Sequence, residues 1–381
     1  MDKLSHRERV LLALDHQDTD RVPMDLCAST CNMVDPLYFK VRDALNIQGD
    51  IPPYRSGRTS SYYDERILNA FDIDFRHISL KSPKSHIIQI DPDGYYRDEW
   101  GVKMRLYGGE VICAESPLAD AEDVDDILAY DHWPDLTDRS RVEGLRERAQ
   151  YLREKTDFAV SAKFVTSFGF LEHGGYLRGF QNWLCDLVSD PEISEAIMDK
   201  IMEVKIALYT MMLEEIGDYV DIVELSEDFG TQTSLFISRE TFRKYMFPRS
   251  KKIIACIREH APHAKIFFHT CGAVYPLIGD MIEMGVDILN PLQPLAAGMD
   301  SAKIKDNFGD KLCFHGAIDI QKAMPGSIED VRREVETRID ALYHSGGYIL
   351  APANHLQKDT PVENVIELFR YASEYSSRKN H

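Results

Sequence analysis

The chain has no run of about 18 consecutive apolar residues, so no segment of it reads as a transmembrane helix. Basic residues are scarce, with 44 Lys and Arg against 63 Asp and Glu and a formal net charge of -19. A surface of that sign does not draw nucleic acid or anionic membranes, although a local basic pocket stays open. The opening stretch, 1–23, is charged throughout and lacks the apolar centre of a signal peptide, which points to a cytoplasmic chain. Cysteine is sparse as well: Cys27, Cys31, Cys113, Cys185, Cys256, Cys271 and Cys313 are odd in number, irregular in spacing and form no C-x-x-C pair. That usage excludes a disulfide scaffold and leaves ligand, nucleophile or core filler as roles for a cysteine. No G-x-G-x-x-G follows the first apolar strand, which disfavours an open dinucleotide-binding sheet.

What the chain does have is length and rhythm. Its 381 residues suffice to bury a large core. Residues 5–16 read as a helix, with Ser5 and Glu8 spaced as a capping box. Strand-like runs follow at 21–26 and 75–80, then at 159–165, 220–225, 265–269, 288–290, 312–314 and 348–351. From residue 158 onward amphipathic helices separate them, at 181–187, 193–216, 239–259, 274–284 and 328–345. Such alternation predicts parallel strands with crossover helices, and eight strands fit a single (β/α)8 TIM-like barrel over 1–381. Two additions are expected. One is an N-terminal helical extension over 1–20. The other is an inserted β-hairpin near 87–111, turning at Asp91-Pro92-Asp93-Gly94. Asp20-Arg21-Val22-Pro23 is expected to fix the first strand through an ion pair.

In a barrel of this kind chemistry sits just past the C-terminal ends of the strands. There His269-Thr270-Cys271-Gly272 sets an imidazole and a thiol two residues apart, a pair suited to zinc. Glu224, Glu227 and Asp228 crowd another strand end, where Glu224 or Asp228 is expected to face inward as a ligand or general base. His315 is a candidate for proton transfer. Asn290, Asp319 and Asn354 are candidate contacts to a cofactor. His355, past the last strand, is a candidate ligand, proton donor or substrate contact. Arg178, in a polar cluster with Glu172 and His173, is a candidate anchor for a substrate carboxylate.

Taken in order, several motifs resemble the uroporphyrinogen decarboxylase superfamily. They are Arg7-Glu8-Arg9-Val10-Leu11, Asp20-Arg21-Val22-Pro23, His269-Thr270-Cys271-Gly272, His315-Gly316-Ala317-Ile318-Asp319, and 347–352 with 360–365. The resemblance spans essentially the whole chain and implies a TIM-like barrel. Its decarboxylase branch implies an N-terminal R-x-x-G-R loop, whereas 24–30 here holds no arginine. Its zinc-dependent corrinoid:thiol methyltransferase branch implies an H-x-C pair, met by His269 and Cys271, and a later Cys that is replaced by Ala353-Asn354-His355. On that likeness His355 stands in for the missing thiolate as the third metal ligand, with Glu224 or Asp228 completing the shell. The implied reaction moves a methyl group between a corrinoid on a partner protein and a small thiol, and a homodimer is a lean of the same family. Two alternatives stand beside it. One is a metal-free decarboxylase acting on a tetrapyrrole or small carboxylate, with His355, Asp228 and Arg178 in the lead. The other is a corrinoid- or tetrapyrrole-binding relative without turnover.

Overall fold

The principal strands are buried along their whole length, as parallel strands covered on both faces are, and the polar members among them, such as His77, Glu224 and His315, are turned into the protein rather than toward water. The computed structural model describes residues 3–379 except Gly109. Strand β1 (Phe75–Ile78) is followed by a short antiparallel excursion, β2 (Tyr95–Arg97), β3 (Lys103–Tyr107) and β4 (Glu110–Glu115). Then come β5 (Ala159–Ala162), β6 (Ile222–Ser226), β7 (Lys265–His269), β8 (Ile288–Asn290), β9 (Cys313–Ile318) and β10 (Tyr348–Pro352). Seven of them form one parallel sheet in the order β1-β5-β6-β7-β8-β9-β10.

The gap between β10 and β1 is closed by the segment expected as the first strand. Met24 pairs in parallel with Leu350, and the Asp74 amide donates to the Met24 carbonyl at 3.1 Å. The segment makes a bridge rather than a full strand for a local reason. Pro23 has no amide to donate, and the Met24 amide is spent on the Asp74 carboxylate at 2.7 Å. With this eighth stave the sheet is a TIM-like barrel, and the crossover helices cover its outside.

The helix His6–Leu14 carries the expected capping box between Ser5 and Glu8. It lies across the N-terminal ends of the strands: Arg7 bonds Asp221 just before β6 at 2.9 Å, and the Gly347 amide, before β10, donates to Ala13 at 2.7 Å. Residues 1 and 2 of the expected extension lie outside the described residues. Ion pairs do fix the entry to the first stave, with partners drawn from elsewhere in the chain. Asp20 pairs with Arg9 at 2.6 Å, while Arg9 and Arg21 both bond the fully buried Asp74 at 2.7 Å.

The insertion also differs from the expectation. The turn at Asp91–Gly94 forms, with Gly94 at φ +88°, yet residues 87–90 are not a strand. β2 pairs with β3 and β3 with β4, giving a three-stranded sheet rather than a hairpin over 87–111. Ile87 and Ile90 are exposed, whereas Tyr96 and Met104 are buried, so burial selects the later pairing. The Tyr96 hydroxyl donates to the Gly57 carbonyl at 2.8 Å, and Trp100 packs 4.1 Å from His173 past β5. The insertion therefore walls the C-terminal mouth of the barrel. No helix among the described residues is long and apolar enough to cross a membrane.

Candidate active site

Strand β7 delivers His269 into the barrel, and the chain turns at once. Gly272 adopts φ +86°, the left-handed region, and a side chain there would run into the backbone of Gly230 and Thr231 from the loop after β6. This glycine contact brings the β6 and β7 loops together. Asp228, His269 and Cys271 meet as a result, each offering a ligand atom within 4.8 Å of the others. His269 Nε2 lies 3.4 Å from Cys271 Sγ and 3.3 Å from Asp228 Oδ1. The Cys271 amide donates to Asp228 Oδ1 at 2.8 Å.

Hydrogen bonds behind the cluster fix how its atoms point. His269 Nδ1 donates to Asn290 Oδ1 at 2.6 Å, which leaves Nε2 for the cluster. The Asn290 amide is itself oriented, because the Thr30 hydroxyl also donates to Oδ1 at 3.1 Å. Its Nδ2 then donates to His315 Nδ1 at 2.8 Å. His315 Nε2 therefore carries the ring proton and donates a hydrogen bond to Asp25 Oδ2 at 2.9 Å. Asp25 Oδ1 accepts in turn from His77 Nε2 at 2.9 Å, and His77 Nδ1 faces Glu224 Oε1 at 3.3 Å. One polar chain thus crosses the barrel from Glu224 to Cys271.

The electrostatics of the cluster call for positive charge. Burial opposes protonation of His269, but the Cys271 sulfur and Asp228 raise it well above its ordinary value. Burial likewise opposes ionisation of Asp228, yet His269 and the Cys271 amide hold its carboxyl below the usual range. Burial pushes the Cys271 thiol up, with His269 offsetting part of the effect. Beside them Glu172 is pushed to about 8 by burial and by Asp228. The donor set of one nitrogen, one sulfur and one oxygen fits zinc. Tetrahedral geometry with ordinary zinc bond lengths sets donors about 3.4–3.6 Å apart, close to the separations of 3.4 and 3.3 Å here. A second group, Asp25, Cys31 and His315, is also close-set and buried. Its oxygen and nitrogen already satisfy each other in a hydrogen bond.

The other expected residues take different places. Glu224 does face inward, as a fully buried acceptor for the Ser29 amide at 3.0 Å and the Ser161 hydroxyl at 2.8 Å. Glu227 turns away and caps the helix Phe170–Arg178 through the Phe170 and Leu171 amides. Asn354 joins the cluster directly. The His355 amide donates to its Oδ1 at 2.7 Å, so its Nδ2 faces Cys271 Sγ at 3.5 Å. His355 itself is not brought among the ligands. Its Nδ1 accepts from the Asn32 amide at 3.0 Å, and burial with Arg55 nearby depresses it to about 3, so the ring is neutral. Asp319 accepts from the amides of Gln321, Lys322 and Ala323 and shapes its own loop. Arg178 is not a free anchor: it is buried, bonding Asp186 at 2.7 Å and the carbonyls of Leu118, Ala119 and Ala121. Sequence reasoning did not single out Asp25 or His77. His77 follows Arg76 on its strand, and nothing in that local pattern marks it.

Comparisons with known proteins agree with this architecture. A methyltransferase from Methanosarcina mazei has a similar fold, with a TM-score of 0.66 and 16% identity over 98% of this chain and 99% of that one. A methylcobamide:CoM methyltransferase MtaA of Methanosarcina barkeri is 24% identical over 63% of this chain. A uroporphyrinogen decarboxylase of Trichodesmium erythraeum is 24% identical over 49% of this chain and 49% of its own length. The aligned region spans 66% of the M. barkeri protein, just under two thirds of it. The model of the uroporphyrinogen decarboxylase (URO-D) family matches residues 97–375, most of the chain and all but two staves of the barrel, and the protein belongs to that family.

Proposed function

We propose that this protein is a zinc-dependent methyltransferase that moves a methyl group between a corrinoid held by a partner protein and a small thiol. The observation that carries the reading is the cluster of Asp228, His269 and Cys271 at the mouth of the barrel. The named activity of the M. barkeri relative supports the corrinoid side of it. Zinc bound there supplies a Lewis acid that holds a thiol as its thiolate at neutral pH. Three protein donors leave one position for the substrate, the usual arrangement of catalytic rather than structural zinc. Asn290 holds the tautomer of His269 through Nδ1. Asn354 points an amide N–H at Cys271 Sγ, which favours the ionised sulfur. Cys271 and Asp228 are partly exposed toward the mouth, where a partner-borne methyl group has to enter.

The test is metal content by elemental analysis, comparing the wild type with Cys271→Ser and His269→Ala. The expected result is about one zinc per chain in the wild type, lost in both variants. Thiol-dependent demethylation of methylcobalamin, followed by its absorbance, then checks the transfer itself. A wild type that binds no zinc after loading sinks the reading and turns attention to metal-free decarboxylation.

A further inference from the structure

Beside the three-stranded insertion, a hollow of about 390 Å³ lies between the β2–β3 turn and the segment 132–141. Gly101 in that turn adopts φ +75°, and a side chain there would strike the Tyr130 hydroxyl and His132. This close approach fixes one wall. Trp133 stands in another, held edge-on by Tyr130 at 5.2 Å and Trp100 at 6.1 Å. Its Nε1 is buried and has no hydrogen-bond partner. Arg141, 3% exposed, gives Nη2 to Glu99 and to the Asp135 carbonyl, yet its Nε also goes unpartnered. Buried donors without acceptors are costly to the fold. Asp98 lines the same hollow. Its Oδ1 accepts from the Trp100 and Val102 amides at 3.0 Å, and its Oδ2 bonds nothing among the described residues. No basic group among the described residues forms an ion pair with it, and burial pushes its carboxyl up to about 6.

We propose that this hollow binds a neutral polyhydroxylated ring, a sugar or cyclic polyol, through Arg141, Trp133 and Asp98. The choice follows from what is left unsatisfied, two donors and one acceptor. An acid group answers the donors but meets Asp98, Glu99 and Asp135 in the same walls. An ammonium answers Asp98 but meets Arg97 and Arg141. A hydroxyl donates and accepts at once. Neighbouring hydroxyls on one ring therefore complete all three groups without adding charge. The volume suits a small ligand rather than solvent alone, and the indole of Trp133 offers an apolar wall to ring C–H groups. Asp98, Glu99 and Arg141 also line the cavity at the barrel mouth, so the two spaces adjoin. The hollow shares no residue with the cluster of Asp228, His269 and Cys271, and it does not rest on the methyl-transfer reading.

Calorimetric titration of the full chain tests the site, with glucose, galactose, mannose and myo-inositol as probes. At least one of them is expected to saturate a single site per chain, and the tightest shows which arrangement of hydroxyls fits. Cyclohexanol keeps a ring and a single hydroxyl, and acetate and methylammonium carry the two charges. Each of these three is expected to bind about tenfold more weakly or not at all. Trp133→Phe keeps a ring and loses the N–H. Arg141→Lys keeps a charge for Glu99 and loses Nε. Each variant is expected to weaken the tightest probe about tenfold without shifting the thermal midpoint. If Arg141→Lys fails to fold, Trp133→Phe decides the matter. Cys271→Ser is expected to bind the probe unchanged, which separates this site from any failure of the metal centre. The proposal is overturned if none of the four probes saturates, or if cyclohexanol or either ion binds as tightly. Unchanged affinity in a folded Trp133→Phe variant, or loss of binding in Cys271→Ser, overturns it as well.

Discussion

Asn290 shows how much one side chain at a strand end can decide. Its oxygen accepts a hydrogen bond from His269 and its nitrogen donates one to His315, so two imidazoles are set by one amide. An alanine there leaves His269 free to rotate and to exchange tautomers, with the cluster nitrogen no longer aimed. The expected effect of Asn290→Ala is a 10- to 100-fold loss of zinc affinity, on the order of magnitude usual for partners behind a ligand. Competition against a chromogenic chelator measures it. Asn290→Asp keeps an acceptor for His269 and should lose less. Equal affinity in the wild type and Asn290→Ala would show that the ring is held by packing alone, against Phe164 at 6.2 Å for instance.

At the scale of elements, Arg178 ties the helices Phe170–Arg178 and Phe180–Ser189 to the segment 118–121. Removing it strands Asp186, which is buried, and the Ala121 carbonyl, while the Leu118 and Ala119 carbonyls keep the Ala121 amide and Asn182 Nδ2. Arg178→Met is expected to destabilise the fold by about 3 kcal/mol, as for a broken buried ion pair, while the folded fraction keeps its zinc. Urea unfolding with metal analysis checks both, and lost zinc at full stability would return Arg178 to the site. The sequence had suggested that site role because an arginine near a strand end reads alike whether its acid is a substrate or Asp186. The same limit explains what was legible elsewhere. Strands buried on both faces stand out as apolar runs, so all eight staves were expected near their places. His269 and Cys271 were legible because two residues of one strand end carry the signal between them. Trp133, Asp25 and His77 were not, because their meaning lies in partners from other strands or in having none. The turn at 91–94 announced a reversal but could not say which flanks pair; exposure of Ile87 and Ile90 settled that.

Across the whole molecule, the barrel holds its charges in opposed pairs, and their titration sets how stability depends on pH. Burial raises Asp25, but His77 and His315 outweigh it and hold the carboxyl well below the ordinary range. A depressed carboxylate contributes stability that is complete above the unfolded value of about 4 and is lost as pH falls from there toward the folded value. His77 runs the other way. Burial lowers it, but Asp25 and Glu224 raise it above its ordinary value. Its contribution is complete below about pH 6.5 and is lost as pH rises through the folded value. The pair therefore favours the window between about pH 4 and 6.5. A chain of net charge -19 also repels itself more strongly above that window as its remaining protons leave. Asp25→Asn is expected to be less stable than the wild type near pH 6. It should also lose on the order of 2 kcal/mol less between pH 5 and 2, because the group that drives the acid limb is gone. Urea midpoints measured through that range read the difference directly. Parallel acid limbs in the two proteins would mean that surface carboxylates, and not the chain of contacts through the barrel, govern acid unfolding.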